Sequence, residues 1–94
     1  MAVTIGLETV VRQKPDALWS TVGDEVVLMN VERGKYYGLG EIGSDIWRRV
    51  RGPISVGDLS AALSGEYSGD AVVIERDTIA LIEQLAQRNL VECQ

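Results

Sequence analysis

The sequence predicts an α+β fold in which a three-stranded antiparallel sheet comes first and three helices follow. Up to about residue 40 the apolar residues are largely β-branched and gathered in short runs; beyond it they recur at spacings of three and four. The short runs are separated by Gly23-Asp24 and Glu32-Arg33-Gly34, sequences of the kinds that close hairpins.

The strand half reads as residues 18–22, 26–31 and 35–39. Gly-Asp suits a two-residue turn whose first position needs positive φ, and a three-residue loop ending in Gly suits a type I turn with a G1 bulge. Two successive hairpins give a meander. In its middle strand Val26 and Leu28 point one way and Val27, Met29 and Val31 the other, so both faces need cover. Helices supply one cover. The N-terminal stretch Val3, Ile5, Leu7, Val10 and Val11 is a candidate for the other, and a homodimer contact is its rival.

The helical half follows. A first helix over about 41–51 places Ile42, Ile46, Trp47 and Val50 on one stripe and stops at Gly52-Pro53. A second, over about 55–64, opens with Ser55 as N-cap and Asp58 three residues on, and turns Val56, Leu59, Ala62 and Leu63 inward. The third and longest covers about 71–88 behind an Asp70 cap, with Ile74, Thr78, Leu81, Ile82 and Leu85 inward. Asn89 is its left-handed terminator, and Leu90 and Val91 clasp back onto the core. Residues 1–94 read as one domain, with the sheet over about 8–39.

Composition narrows the function. A chain of 94 residues buries only about 60–65% of its unfolded surface, which leaves little room for a deep catalytic cleft. With no His, the commonest general base and metal ligand is missing. The only Cys, Cys93, is the penultimate residue, where no intrachain disulfide can form and chain ends are usually mobile. There is no secretion signal and no apolar run near the roughly 20 residues that span a bilayer, so a cytoplasmic protein away from membranes is expected. The net charge of −5 disfavours nucleic acid, whose binding rests on phosphate neutralisation, and suits a peptide or protein partner.

The candidate chemical motifs are weak. Gly38-Leu39-Gly40-Glu41-Ile42-Gly43 matches a dinucleotide fingerprint, but hairpin-linked strands that all precede the helices lack the βαβ crossover such a site needs. The glycines read instead as a strand end, a helix cap and a packing notch. Asp24, Glu25, Glu66, Glu75 and Asp77 fall at turns and helix surfaces, so neither paired acid-base catalysis nor a metal or other cofactor is expected. The basic cluster Arg48, Arg49 and Arg51 complements a helix C-terminus; with Trp47, the pair Arg48 and Arg49 is also a candidate partner-docking patch.

Tyr36 and Tyr37 are more informative. Neighbours on a strand face opposite ways, and this strand, the last of the meander, is an edge. An edge presents unpaired N–H and C=O groups to which an extended peptide can add as a further strand.

Together, Asp24-Glu25-Val26-Val27-Leu28-Met29-Asn30, Gly34-Lys35-Tyr36-Tyr37-Gly38-Leu39, Gly43 with Ile46-Trp47, Gly52-Pro53 and Asn89-Leu90-Val91 resemble the PqqD-like precursor-recognition elements of ribosomally made, modified peptides (RiPPs). The resemblance covers about residues 18–92 and implies a non-catalytic, winged helix-turn-helix-like fold that binds the leader of a precursor peptide along its third strand, beside its third helix. A freestanding chain with Gly-Lys-Tyr-Tyr looks most like the leader-binding partner in lasso-peptide biosynthesis, whose other partners are a leader-cleaving cysteine protease and an ATP-dependent cyclase. The alternatives are a pyrroloquinoline quinone pathway-type peptide chaperone for a radical SAM enzyme and, from the helix-turn-helix-like arrangement, a winged-helix DNA-binding protein. Carried onto this sequence, the binding strand is Lys35, Tyr36, Tyr37, Gly38 and Leu39. Helical spacing from the core set adds Val73, Arg76, Asp77 and Ala80 as the facing wall, with Leu81 at the floor.

Overall fold

The computed structural model describes residues 5–30 and 32–94. In chain order its elements are β1 (Val10–Gln13), β2 (Leu18–Val22), β3 (Glu25–Asn30), β4 (Lys35–Gly38), α1 (Glu41–Arg49), β5 (Ile54–Ser55), α2 (Val56–Glu66), α3 (Ala71–Gln87) and β6 (Val91–Cys93). No helix among the described residues is long and apolar enough to cross a membrane.

The expected meander is present, with strand order β2-β3-β4. Gly23 at φ 64° and Gly34 at φ 61° supply the left-handed backbone its two turns require. Asn30 pairs with Lys35 at the end of the second hairpin; Val31, expected to end the middle strand, lies outside the described residues. Register assigns the faces, because directly paired residues share one. Trp19 with Leu28 and Tyr37, and Thr21 with Val26, look toward the helices. Leu18 with Met29 and Tyr36, and Val22 beyond them, look away, and Val22 and Tyr36 are 68% and 73% exposed.

The N-terminal stretch takes a different course from the one expected. β1 is the middle strand of a second antiparallel sheet, order β5-β1-β6, so the single sheet expected over residues 8–39 is two. Val11 pairs with Ile54 on one side and Cys93 on the other. At two and three residues, β5 and β6 are too short to show an alternating pattern. The chain end carrying Cys93 is thus a paired strand rather than a loose tail. Ahead of β1, the Leu7 carbonyl accepts from the Gly57 N–H at 2.9 Å, which draws this stretch to the start of α2. Val3 lies outside the described residues.

The helices start where their caps predict. The Ser55 hydroxyl accepts from the Asp58 N–H at 3.1 Å, and the Asp70 carboxylate accepts from the Val72 N–H at 2.8 Å. Each such cap contributes about 1 kcal/mol. Asn89, at φ 58°, ends α3. Ile46, Trp47 and Val50, with Val56, Leu59 and Leu63 of α2 and Ile82 and Leu85 of α3, close on Val26 and Leu28 from the meander and on Val11 and Val91 from the second sheet. Trp47 is fully buried and meets Trp19 edge-on, ring centroids 6.2 Å apart. Four members of the predicted inward stripes are not fully buried: Ile42 is 42% exposed, and Ala62, Ile74 and Leu81 are partly buried. Ile42, Ile74 and Leu81 face one gap between α1 and α3.

Candidate functional site

β4 is an edge strand, and its hydrogen-bonding pattern follows from one bond. The Leu39 N–H donates to the Val26 carbonyl at 2.8 Å, continuing the β3–β4 register. In an antiparallel ladder the bonded pairs alternate, so Leu39, Tyr37 and Lys35 turn their backbone groups toward β3. The N–H and C=O of Tyr36 and of Gly38 therefore point outward, away from the sheet. These four groups form a strand-addition template.

The inner end of this template is pinned. The Ser44 hydroxyl, buried in α1, accepts from the Val26 N–H at 2.8 Å and donates to the Leu39 carbonyl at 3.0 Å. It occupies the place of a ladder bond where β4 bends away into the helix. Gly43 beside it lets α1 come close, since a Cβ there would lie 3.3 Å from Leu39 Cβ and 3.6 Å from Leu81 Cδ2.

Between β4 and α3 lies a cleft of about 330 Å³, lined by Leu28, Tyr36, Tyr37, Gly38, Leu39, Leu81, Gln84, Leu85 and Arg88. A second, of about 250 Å³, lies between α1 and α3 and is lined by Ile42, Gly43, Ile46, Ile74, Asp77, Thr78 and Leu81. Leu81 belongs to both. A peptide strand paired with β4 turns alternate side chains inward, toward these apolar hollows. The Arg88 guanidinium lies 4.4 Å from the Tyr37 ring centroid, a cation–π contact that closes the far end of the first cleft.

Of the residues expected at the site, Tyr36, Tyr37, Gly38, Leu39 and Leu81 line the cleft beside β4, and Asp77 lines the one beyond. Lys35 opens β4 and is exposed. Val73, Arg76 and Ala80 are exposed and line neither cleft; Arg76 instead makes a long, exposed ion pair with Asp77, 3.7 Å. They sit on the solvent side of α3, whereas Ile74, Asp77, Thr78, Leu81, Gln84, Leu85 and Arg88 form the stripe that meets the gap. Gln84 and Arg88 were not among the expected residues. Their spacing of three and seven from Leu81 is the signal that points to them.

The proposed docking patch is corrected at one position. Trp47 has no exposed surface, because the stripe it belongs to faces the core, so it offers nothing to a partner. Arg48 donates to the Asp24 carbonyl at 2.9 Å and secures the β2–β3 turn. Arg49 pairs with Asp45 at 2.8 Å and Glu66 at 2.7 Å, joining α1 to the end of α2, and hydrogen bonds to Glu66 and Asp45 raise its pKa. Tyr67 completes the group. Its hydroxyl donates to Asp45 at 2.9 Å, and that bond raises the phenol above its ordinary pKa.

With this geometry in view, the chain can be set beside known proteins. The family model for coenzyme PQQ synthesis protein D (PqqD) matches residues 25–91, more than half of the chain. TbiB1, solved in complex with the TbiA(beta) leader peptide, is 31% identical; the match covers 86% of this chain and 94% of that one, with a TM-score of 0.75. A lasso peptide synthetase B1 complexed with the leader peptide is 24% identical over 87% and 96% of the two chains, TM-score 0.75. The PqqD truncation of Methylobacterium extorquens PqqCD, a stand-alone RiPP recognition element, is 21% identical over 95% of each chain, TM-score 0.76. The last two likenesses are of fold. Among curated proteins none matches.

Proposed function

The chain belongs to the PqqD family, and from that premise we propose that it is a non-catalytic binder of the leader segment of a ribosomally made precursor peptide. The leader adds as a strand to β4 and lies beside α3. The outward N–H and C=O groups of Tyr36 and Gly38, set beside an unfilled cleft, are the observation that carries this reading. Each backbone bond contributes about 1 kcal/mol net, with little sequence preference, so discrimination falls to the side chains that enter the clefts. Ordering a disordered leader costs a few kcal/mol, which places the affinity in the sub-micromolar rather than the picomolar range.

The 31% identical relative was solved with a leader peptide, and a second relative of the same fold is a lasso peptide synthetase component. On that support the pathway is lasso-peptide biosynthesis, and the bound leader is presented to a cysteine protease and an ATP-dependent cyclase. The family's own description favours a second reading, a peptide chaperone for a quinone-cofactor pathway.

The test starts from the peptide that co-purifies with the tagged protein from its native host, identified by mass spectrometry and remade with a fluorophore. A precursor leader that binds saturably below about 1 μM supports the proposal. No saturable binding below about 100 μM, or no peptide retained, overturns it. The sequence of the precursor's core separates the lasso from the quinone pathway.

A further inference from the structure

In a chain of net charge −5, four of the nine Lys and Arg residues gather at one end of the β4 edge. Lys14, Arg33 and Arg88 line a polar cleft of about 370 Å³ between the β1–β2 connection, the β3–β4 loop and the C-terminal end of α3. Lys35 stands beside it, paired with the lining residue Asn30. The carboxylates lining it are Asp16 and Glu32, and among the described residues none lies within 4 Å of these cations. Among the described residues, then, three cations and two carboxylates line the cleft without a direct ion pair, and Lys35 adds a further cation beside it.

A helix C-terminus ordinarily repels an anion. Here that effect is muted, because the carbonyls of Gln84, Leu85 and Ala86 accept from the N–H groups of Arg88, Leu90 and Asn89 at 3.2, 3.0 and 3.1 Å, and the Leu90 carbonyl accepts from the Lys14 N–H at 3.0 Å. Arg88 lines both this cleft and the one beside β4, so its guanidinium, over the Tyr37 ring, stands at the boundary between the two. One and a half turns into α3, Asp77 lines the cleft between α1 and α3, with Arg76 3.7 Å away. The cations of the groove thus gather at its Lys35 end. Eleven helical residues separate Asp77 from Arg88, about 16 Å, the span of roughly five residues of extended strand.

We propose that the Lys14–Arg33–Arg88 cleft receives carboxylate side chains of the bound peptide where it runs off the Lys35 end of β4. This rests on the strand-addition reading above. In the antiparallel pairing that continues the meander, the carboxylates lie on the C-terminal side of the paired stretch, about five residues beyond the position over Asp77. The acids of the peptide so recognised set both direction and register on an edge whose backbone bonds set neither.

Selection of random 16-residue peptides by mRNA display against the immobilised full-length protein tests this, with the Tyr36→Pro and R33E/R88E proteins run in parallel. The expected result is peptides that lose binding to Tyr36→Pro, carry Asp or Glu at a fixed place C-terminal to the pairing stretch, and weaken about tenfold when that acid becomes Ala. R33E/R88E then selects Lys or Arg at the same place. Both arginines are exposed; should the double variant not fold, R33Q and R88Q singly are read for the weakening alone. Peptides that depend on Tyr36 yet show no fixed acid overturn the charge proposal and leave strand addition standing. Failure to select any Tyr36-dependent peptide overturns both.

Discussion

β2 and β4 are the two edges of one sheet, and only one of them has the makings of a site. Both present unpaired backbone: Trp19 and Thr21 on β2, Tyr36 and Gly38 on β4, by the same alternation of bonded pairs. They differ in what stands beneath. Under β2 the indole of Trp19 packs edge-on against Trp47, so that flank is filled from within. Under β4 the stripe from Asp77 to Arg88 stands off from the strand and leaves the two clefts. An open edge supplies hydrogen bonds, but a gap beside it supplies selectivity.

The sharpest way to break this contrast is a matched pair of prolines. Tyr36→Pro removes an outward donor and sets a ring in the path of an added strand, while the β3 ladder keeps its bonds. Leader affinity falls at least about 30-fold by titration, with an unchanged circular dichroism spectrum. Thr21→Pro makes the same change on the other edge and leaves affinity within about twofold. Equal losses from both would mean that the edges are equivalent.

Ser44→Ala tests the pin that β4 has at its inner end. It strands the buried Val26 N–H and Leu39 C=O together, and stability falls by about 2–3 kcal/mol in denaturant titration. Leu81→Ala merges the two clefts without touching the strand. Because Leu81 is only half-buried, the loss is about 1–2 kcal/mol, read mainly as roughly tenfold weaker leader binding. Val22→Ala, on the exposed outer face of β2, changes neither quantity.

The smallest effect concerns pH and lies away from both edges. The phenol of Tyr67 titrates higher in the folded protein because it donates to Asp45. A folded pKa above the unfolded one gives stability that is present below the unfolded value, near pH 10, and lost as pH rises through the folded value. Thermal unfolding followed across pH 9–11 therefore shows a decline that Tyr67→Phe lessens, with leader binding at pH 7 unaffected.

The meander and the helices were legible because their signals are local: a Gly at each turn, a cap at each helix start, an apolar period in between. β5 and β6 were not, since two or three residues carry no period and their partner β1 lies more than 40 residues away in the chain. The β4 half of the candidate site, an edge strand beside a cleft, was legible from Gly-Lys-Tyr-Tyr and its place at the end of the meander. On α3, Asp77 and Leu81 were legible, but Val73, Arg76 and Ala80, one step around the helix, stood in the place of Gln84 and Arg88. Periodicity locates the buried stripe through Thr78, Ile82 and Leu85 but not which of its flanks meets a strand formed 40 residues earlier. Ile42, Ile74 and Leu81 show why. In the sequence they are core residues like their neighbours, and only the packed structure reveals that nothing has been placed on top of them.

The pairing of β1 with β6 has a consequence for how the module can be joined to others. The Val10 N–H donates to the Gln94 carbonyl at 3.0 Å and the Gln94 N–H to the Val10 carbonyl at 2.8 Å, so positions far apart in the chain are neighbours in space. They meet on the sheet that does not contain β4. A Gly-Ser bridge from Gln94 to the stretch ahead of β1, long enough to leave the Leu7 and Thr9 carbonyls on α2, with new ends opened in the exposed Gly23-Asp24 turn, gives a circular permutant with the same edge and the same clefts. By the same geometry the unit can be spliced into a surface loop of a larger enzyme, entering and leaving through one doorway.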